Sequence, residues 1–116
     1  MAVHRKIAGK PRQERVNQEI WLPTRAEIKS VTPTTLMSSG VGIVVGTIPG
    51  LGPTVASFLA YALAKRMAKP HERFGEGEHK GVAAAETADN AVVPASLIPL
   101  FALGLPGSVS AAIIIA

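Results

Sequence analysis

Residues 46–54 read Gly46-Thr47-Ile48-Pro49-Gly50-Leu51-Gly52-Pro53-Thr54, and they lie inside Val31–Ala64, a stretch without a single charged side chain. The apolar part of that stretch, Leu36–Ala64, would be about 43 Å long as one helix at ~1.5 Å per residue. A bilayer core is only ~30 Å thick. Two prolines and two glycines within residues 49–53 will not continue a helix in any case. The segment therefore reads as two half-length arms, about Leu36–Ile48 and Thr54–Ala64, joined by a break.

Working outward, the charge map sets the class. Residues 1–30 carry seven Lys/Arg and three acids, and Lys65–Lys80 carry five Lys/Arg and three acids. Beyond Gly81 the only charged residues are Glu86 and Asp89. Long charge-free stretches between basic flanks are what a bilayer requires. Arg25 and Lys29 precede the arms, and Lys65, Arg66 and Lys69 follow them. A re-entrant hairpin would keep both basic groups on the cytoplasmic side, as the positive-inside rule favours. A broken single span remains the other possibility. Residues 1–35 read as a polar, basic lead-in, cytoplasmic or interfacial, and residues 65–81 as a polar loop.

Composition narrows the chemistry. The chain has 116 residues, 47% of them apolar and 4% aromatic, with no cysteine and a net charge of +4. Disulfide, thiolate and Cys-based zinc chemistry are excluded. The basic residues are not interleaved with stacking aromatics, which argues against nucleic acid as a partner. His4, His71 and His79 have no metal-like spacing. No P-loop or dinucleotide fingerprint is present, since residues 46–54 lack the terminal Gly-Lys-Ser/Thr. The chain reads as no enzyme, with no cofactor.

A second membrane element is expected from about Val82 to Leu103, bent by Pro94 and Pro99. It breaks at Gly104-Leu105-Pro106-Gly107, and a new helix begins near Ser108. Ala111–Ala116 is the middle of an apolar helix with no cap, so the chain is expected to be a piece of something longer. Ile48-Pro49-Gly50 and Leu105-Pro106-Gly107 echo each other between apolar arms. Paired broken helices point to the binding site of a secondary transporter.

At the first break Pro53 suits a first helical turn, and the N–H groups near Gly52, Thr54 and Val55 need partners in a membrane. The positive end of the helix dipole favours a carboxylate there. A proline kink that only packs against a neighbour is the plainer alternative. Thr54, Ser57 and Tyr61 share a helix face and either line a cavity or join helices. Ser38, Gly42 and Gly46 recur every fourth residue and read as a packing ridge. Ser108 is a plausible N-cap, so the second break supplies a second donor cluster; two such clusters meeting would hold two carboxylates of one substrate. Glu86, Asp89 and Asn90 share a face. They are candidates for ion coupling through Na⁺ or H⁺, or they are simply wet acids at the start of a helix.

Three stretches in order carry a resemblance: Gly46–Thr54, Phe74-Gly-Glu-Gly-Glu-His-Lys-Gly-Val-Ala-Ala-Ala-Glu-Thr-Ala-Asp-Asn-Ala91, and Leu97-Ile-Pro-Leu-Phe-Ala-Leu-Gly-Leu-Pro-Gly-Ser108. Together they resemble the large permease subunit of bacterial tripartite tricarboxylate transporters, over roughly Arg25 to Ala116. The resemblance implies a polytopic inner-membrane subunit, of which this chain is an internal piece from the second half. It also implies a small membrane subunit and a periplasmic solute-binding protein as partners. The cargo would be citrate-like and other carboxylates, moved by an ion gradient and not by ATP. Candidate roles carry over to Pro49, Gly50, Gly52, Pro53, Glu86, Asn90, Pro106, Gly107 and Ser108. Asp89 departs from the family pattern, which usually has an amide there.

The expectation is thus an all-α, polytopic membrane protein fragment with broken or re-entrant helices. Substrate would bind at Pro49, Gly50, Gly52, Pro53, Thr54, Ser57, Pro106, Gly107 and Ser108, with ion coupling at Glu86, Asp89 and Asn90. The alternative is a non-transporting remnant or a small structural membrane protein.

Overall fold

The structure is a computed structural model and describes residues 22–116. The first part of the polar lead-in, with His4, lies outside the described residues. Among the described residues there are five helices and no strand: α1 (Arg25–Gly46), α2 (Gly52–Arg66), α3 (His79–Ala95), α4 (Leu97–Leu103) and α5 (Val109–Ile115).

Helix α1 starts at Arg25, well before the expected arm at Leu36. A capping box sets that start. The Glu27 amide donates to Thr24 Oγ1 at 3.3 Å, and the Thr24 amide donates back to Glu27 Oε2 at 2.7 Å. The Thr24 amide, and after it the Thr24 hydroxyl, which donates to the same Oε2 at 2.7 Å, hold the Glu27 carboxyl below the usual carboxylate range. The helix then runs through Pro33. The boundary near residue 35 marks where charge ends, and it is not where the helix begins. At the far end, α3 stops at Ala95 and α4 resumes after Ser96 alone. Gly104, with φ +68, closes α4 by donating to the Leu100 carbonyl at 2.9 Å.

Three helices form the bundle. α1 and α3 run parallel, because Gly42 lies on Ala88 and Gly46 on Ala95. α2 runs against both. Its Ser57 meets Ala85, Tyr61 meets Gly81, and Ala64 and Met67 lie beside Lys29–Met37. The contacts between helices are made by small residues. A Cβ on Gly42 would stand 2.5 Å from the Ala88 carbonyl oxygen and 2.7 Å from the Ala91 Cβ. One on Gly46 would stand 2.6 Å from the Ala95 Cβ. Ala56, Ala60 and Ala64 of α2 and Ala84, Ala88 and Val92 of α3 complete the buried core.

Large apolar residues face outward. Phe58 is 72% exposed and Phe101 79%, while Ala60 and Ala88 are fully buried. A water-soluble domain places its large side chains inside. Small residues within and large ones without are the arrangement of helices packed in an apolar medium. Among the described residues no helix is long and apolar enough to cross a membrane. α1 has 22 residues, but Arg25, Glu27 and Lys29 occupy its first turns.

The bundle has two unlike ends. Lys29, Lys65, Arg66, Lys69 and Lys80 gather at one, and both Pro-Gly breaks lie at the other. α2 joins the two with 15 residues, or about 22 Å at ~1.5 Å per residue. At the basic end Lys80 of α3 pairs with Glu72 of the loop. Glu72 Oε2 also accepts from the Lys69 amide at 2.9 Å. The Lys80 ammonium, then that amide, draws the Glu72 carboxyl below its ordinary range. Tyr61 and Phe74 meet edge to face with ring centroids 5.7 Å apart, above Gly81.

Gly42→Leu drives a side chain into the Ala88 backbone and should cost at least the ~1–3 kcal/mol typical of overpacking. Ser38 is fully buried and its Oγ has no hydrogen-bond partner, so Ser38→Ala should be neutral or stabilising. Unfolding titrations in mixed micelles check both. Glu72 has a depressed folded pKa, so its contribution is complete above the ordinary glutamate range and is lost as pH falls through the lower folded value. Melting temperature should therefore drop on acidification through that window. The drop should be smaller in Lys80→Met, as circular dichroism melts at stepped pH would show.

Candidate functional site

The first break is built from Thr47–Leu51. Thr47 Oγ1 donates to the Val44 carbonyl at 2.7 Å, ending α1. Gly50 (φ +87) and Gly52 (φ +70) then turn the chain through backbone conformations that other residues rarely adopt. α2 begins with Pro53 in its first turn and has no side-chain cap. The first-turn amides of Gly52 and Thr54 consequently have no side-chain cap to accept from them, whereas Val55 already belongs to the helix ladder.

The second break is capped. Ser108 Oγ accepts from the Ala111 amide at 3.1 Å and starts α5. The two breaks touch, because the Gly50 amide donates to the Gly107 carbonyl at 3.3 Å. Gly107 is buried against Ser96, where an added Cβ would lie 3.1 Å from the Ser96 Cβ and 3.2 Å from its carbonyl oxygen. Pro53, Ser96, Ser108 and Ser110 line a cleft of about 80 Å³ between the breaks. Val92, Val93, Leu97, Ala111 and Ile114 supply the rest of its walls, so the cleft is small and mostly apolar.

The expected substrate residues thus fall into two sets. Gly50, Gly52, Pro53, Gly107 and Ser108 converge at the junction of the breaks. Pro49 and Pro106 flank it and are exposed. Thr54 and Ser57 instead line a separate cleft of about 480 Å³ with Phe58, Tyr61, Ala85 and Asp89. There Ser57 Oγ lies 3.2 Å from the Ala85 carbonyl oxygen and 3.4 Å from Asp89 Oδ1.

The expected ion-coupling residues divide as well. Asp89 is half-buried on the side of α3 that faces α2, whereas Glu86 and Asn90 are exposed. The Asn90 amide donates back to the Glu86 carbonyl at 2.8 Å, which ties it to its own helix. Among the described residues no group of three or more His, Asp or Glu could hold a metal ion. Sequence reasoning missed Ser96, the buried hinge between α3 and α4 on which Gly107 rests; its place between Pro94 and Pro99 was the signal. It also missed the Ala85 carbonyl, which no side-chain pattern reveals.

Close small-residue seams and outward large side chains define a class, that of helices packed together in an apolar medium, and here two helix breaks meet at one end of the bundle. The chain belongs to the Tripartite tricarboxylate transporter TctA family, whose family model matches residues 2–116. It is similar to an uncharacterized 52.8 kDa protein in the TAR-I ttuC' 3' region of Agrobacterium vitis, 35% identical over 96 residues. That match covers 83% of this chain and 19% of the relative. It is also similar to an uncharacterized protein in the TAR-II ttuC' 3' region of the same organism, 40% identical over 74 residues. This second match covers 64% of this chain and 31% of the relative. The chain therefore spans between about a fifth and a third of the length of these relatives. No solved structure matches it. That family is one of membrane transporters.

Proposed function

We propose that this bundle is part of the permease subunit of a secondary transporter for tricarboxylates or related carboxylates. The observation that carries the reading is the contact of the two breaks, the Gly50 amide on the Gly107 carbonyl at 3.3 Å. It brings the uncapped N-terminus of α2 beside the start of α5. The uncapped positive end of α2, in an apolar medium, suits an anionic group. The glycines leave the backbone open to close approach. Pro49, Gly50, Gly52, Pro53, Pro106, Gly107 and Ser108 would form the carboxylate site, with Thr54 and Ser57 on the adjoining face of α2. The cleft is small, so the remaining carboxylates of a tricarboxylate would meet the rest of the permease.

Transport would proceed by alternating access around the broken helices, driven by a Na⁺ or H⁺ gradient through Glu86, Asp89 and Asn90. The basic end would face the cytoplasm of the bacterial inner membrane. α1 and α2, an antiparallel pair joined at the break, suit a re-entrant hairpin in a multi-pass subunit. A small membrane subunit and a periplasmic solute-binding protein would complete the machine, which makes no use of a cofactor.

The test uses a full-length permease carrying this bundle. Gly52→Val forces a branched side chain onto φ +70, and Ser108→Ala removes the α5 cap. Each should lower carboxylate uptake about tenfold or more, the equivalent of one lost charge-assisted hydrogen bond. Membrane insertion, followed by fractionation, should stay intact. Normal uptake in both variants would overturn the site.

A further inference from the structure

Asp89 is the chain's single aspartate. At about 1.5 Å per residue it lies ~15 Å along α3 from His79, away from the basic end and toward the breaks. It is half-buried in the cleft between α2 and α3, whose walls include Phe58, Tyr61 and Ala85. Among the described residues neither ion pair involves it. Its hydrogen-bond contact is with Ser57 Oγ, at 3.4 Å. That is long for a hydroxyl on a carboxylate, which normally closes to about 2.5–2.7 Å. The same hydroxyl lies 3.2 Å from the Ala85 carbonyl and has one proton to offer two acceptors. Three oxygens from two helices thus stand together around a single hydroxyl proton.

We infer that Asp89, Ser57 and the Ala85 carbonyl form a site for a monovalent cation, Na⁺, held between α2 and α3. The spacing of the oxygens fits. A hard cation of this size sits about 2.4 Å from its oxygen ligands, which puts neighbouring ligands of an octahedral shell about 3.4 Å apart. One carboxylate among neutral oxygens balances one positive charge; a divalent ion would call for more acids. Thr54 and Tyr61 line the same cleft and carry further hydroxyl oxygens. Glu86 and Asn90 are outside the site, because both are exposed and Asn90 is bonded to its own helix. The inference deepens the ion-coupled reading above and rests on it for its role in transport. The cation would tie α2 to α3 on the helix whose N-terminus forms the first break, so that loading the ion and shaping the carboxylate site act on one element.

A lone aspartate makes the test direct. The full chain in detergent micelles, labelled with [4-¹³C]aspartate, gives one aspartate carboxyl signal. NaCl is titrated against choline chloride at constant ionic strength and fixed neutral pH. The expected result is a saturable shift with Na⁺ that choline does not reproduce. Ser57→Ala should weaken the apparent Na⁺ affinity about tenfold, as for one lost ligand. In a second readout, broadening of the ²³Na signal by the protein should be largely lost in Asp89→Asn, which keeps the shape and removes the charge; circular dichroism checks that both variants keep their helix content. Equal shifts with Na⁺ and choline, a signal that responds to pH alone, or an unchanged Na⁺ response in Ser57→Ala would each overturn the site. Binding is read here without transport. A permease that binds Na⁺ at Asp89 but fails to move carboxylate would fault the transport reading and leave the cation site standing.

Discussion

The rest of the structure depends on how closely α1 and α3 approach. Gly42 and Gly46 leave no room for a Cβ against Ala88 and Ala95, so the two backbones meet almost directly. In an apolar medium there is little hydrophobic gain in burying large side chains, and close van der Waals contact takes over as the source of cohesion. Small residues are what allow that contact. α2 follows the same rule, offering Ala56, Ala60 and Ala64 to the shared core. The seam also fixes the register. α3 in turn carries Asp89 against Ser57 of α2 and Ser96 against Gly107, so both candidate sites rest on that one helix and its end.

The polarity of the bundle follows from two demands on the backbone and side chains. Charged groups gather where they remain wet, and the Glu72–Lys80 pair ties the connecting loop to α3 there. At the opposite end the chain breaks twice within charge-free sequence. Each break leaves amides and carbonyls that a helix would have paired. By meeting, the breaks offset part of that cost, since Gly50 supplies a donor and Gly107 an acceptor. Ser108 satisfies another amide on its own account.

Much of this was legible in the sequence. The break at residues 49–53 was plain from its prolines and glycines, and the Ser38, Gly42 and Gly46 spacing announced a packing ridge. The start of α1 was not read correctly, because the change in charge near residue 35 is a louder signal than a capping box. Thr24 and Glu27 nevertheless had the right spacing. The division of the two candidate residue sets could not be read at all. Whether Asp89 faces α2 depends on the register of helices that are 32 residues apart at the Ser57–Asp89 contact. A helical-wheel argument groups Glu86, Asp89 and Asn90 on one face but does not say which flank of that face the neighbour covers.

The unequal capping of the two breaks bears on which one does chemical work. Ser108 spends its hydroxyl on the Ala111 amide, so the start of α5 is satisfied from within. The start of α2 has Leu51 as its N-cap, with no side-chain oxygen to offer. In water that difference would matter little, because solvent would supply the missing acceptors. In an apolar medium an amide without an acceptor costs several kcal/mol. A serine at position 51 would be the simplest remedy, and the chain does not use it. On the transport reading, the uncapped end of α2 is where an oxygen of the cargo supplies what the chain withholds. Gly107 and Ser108 then form the firm wall against which that oxygen is held.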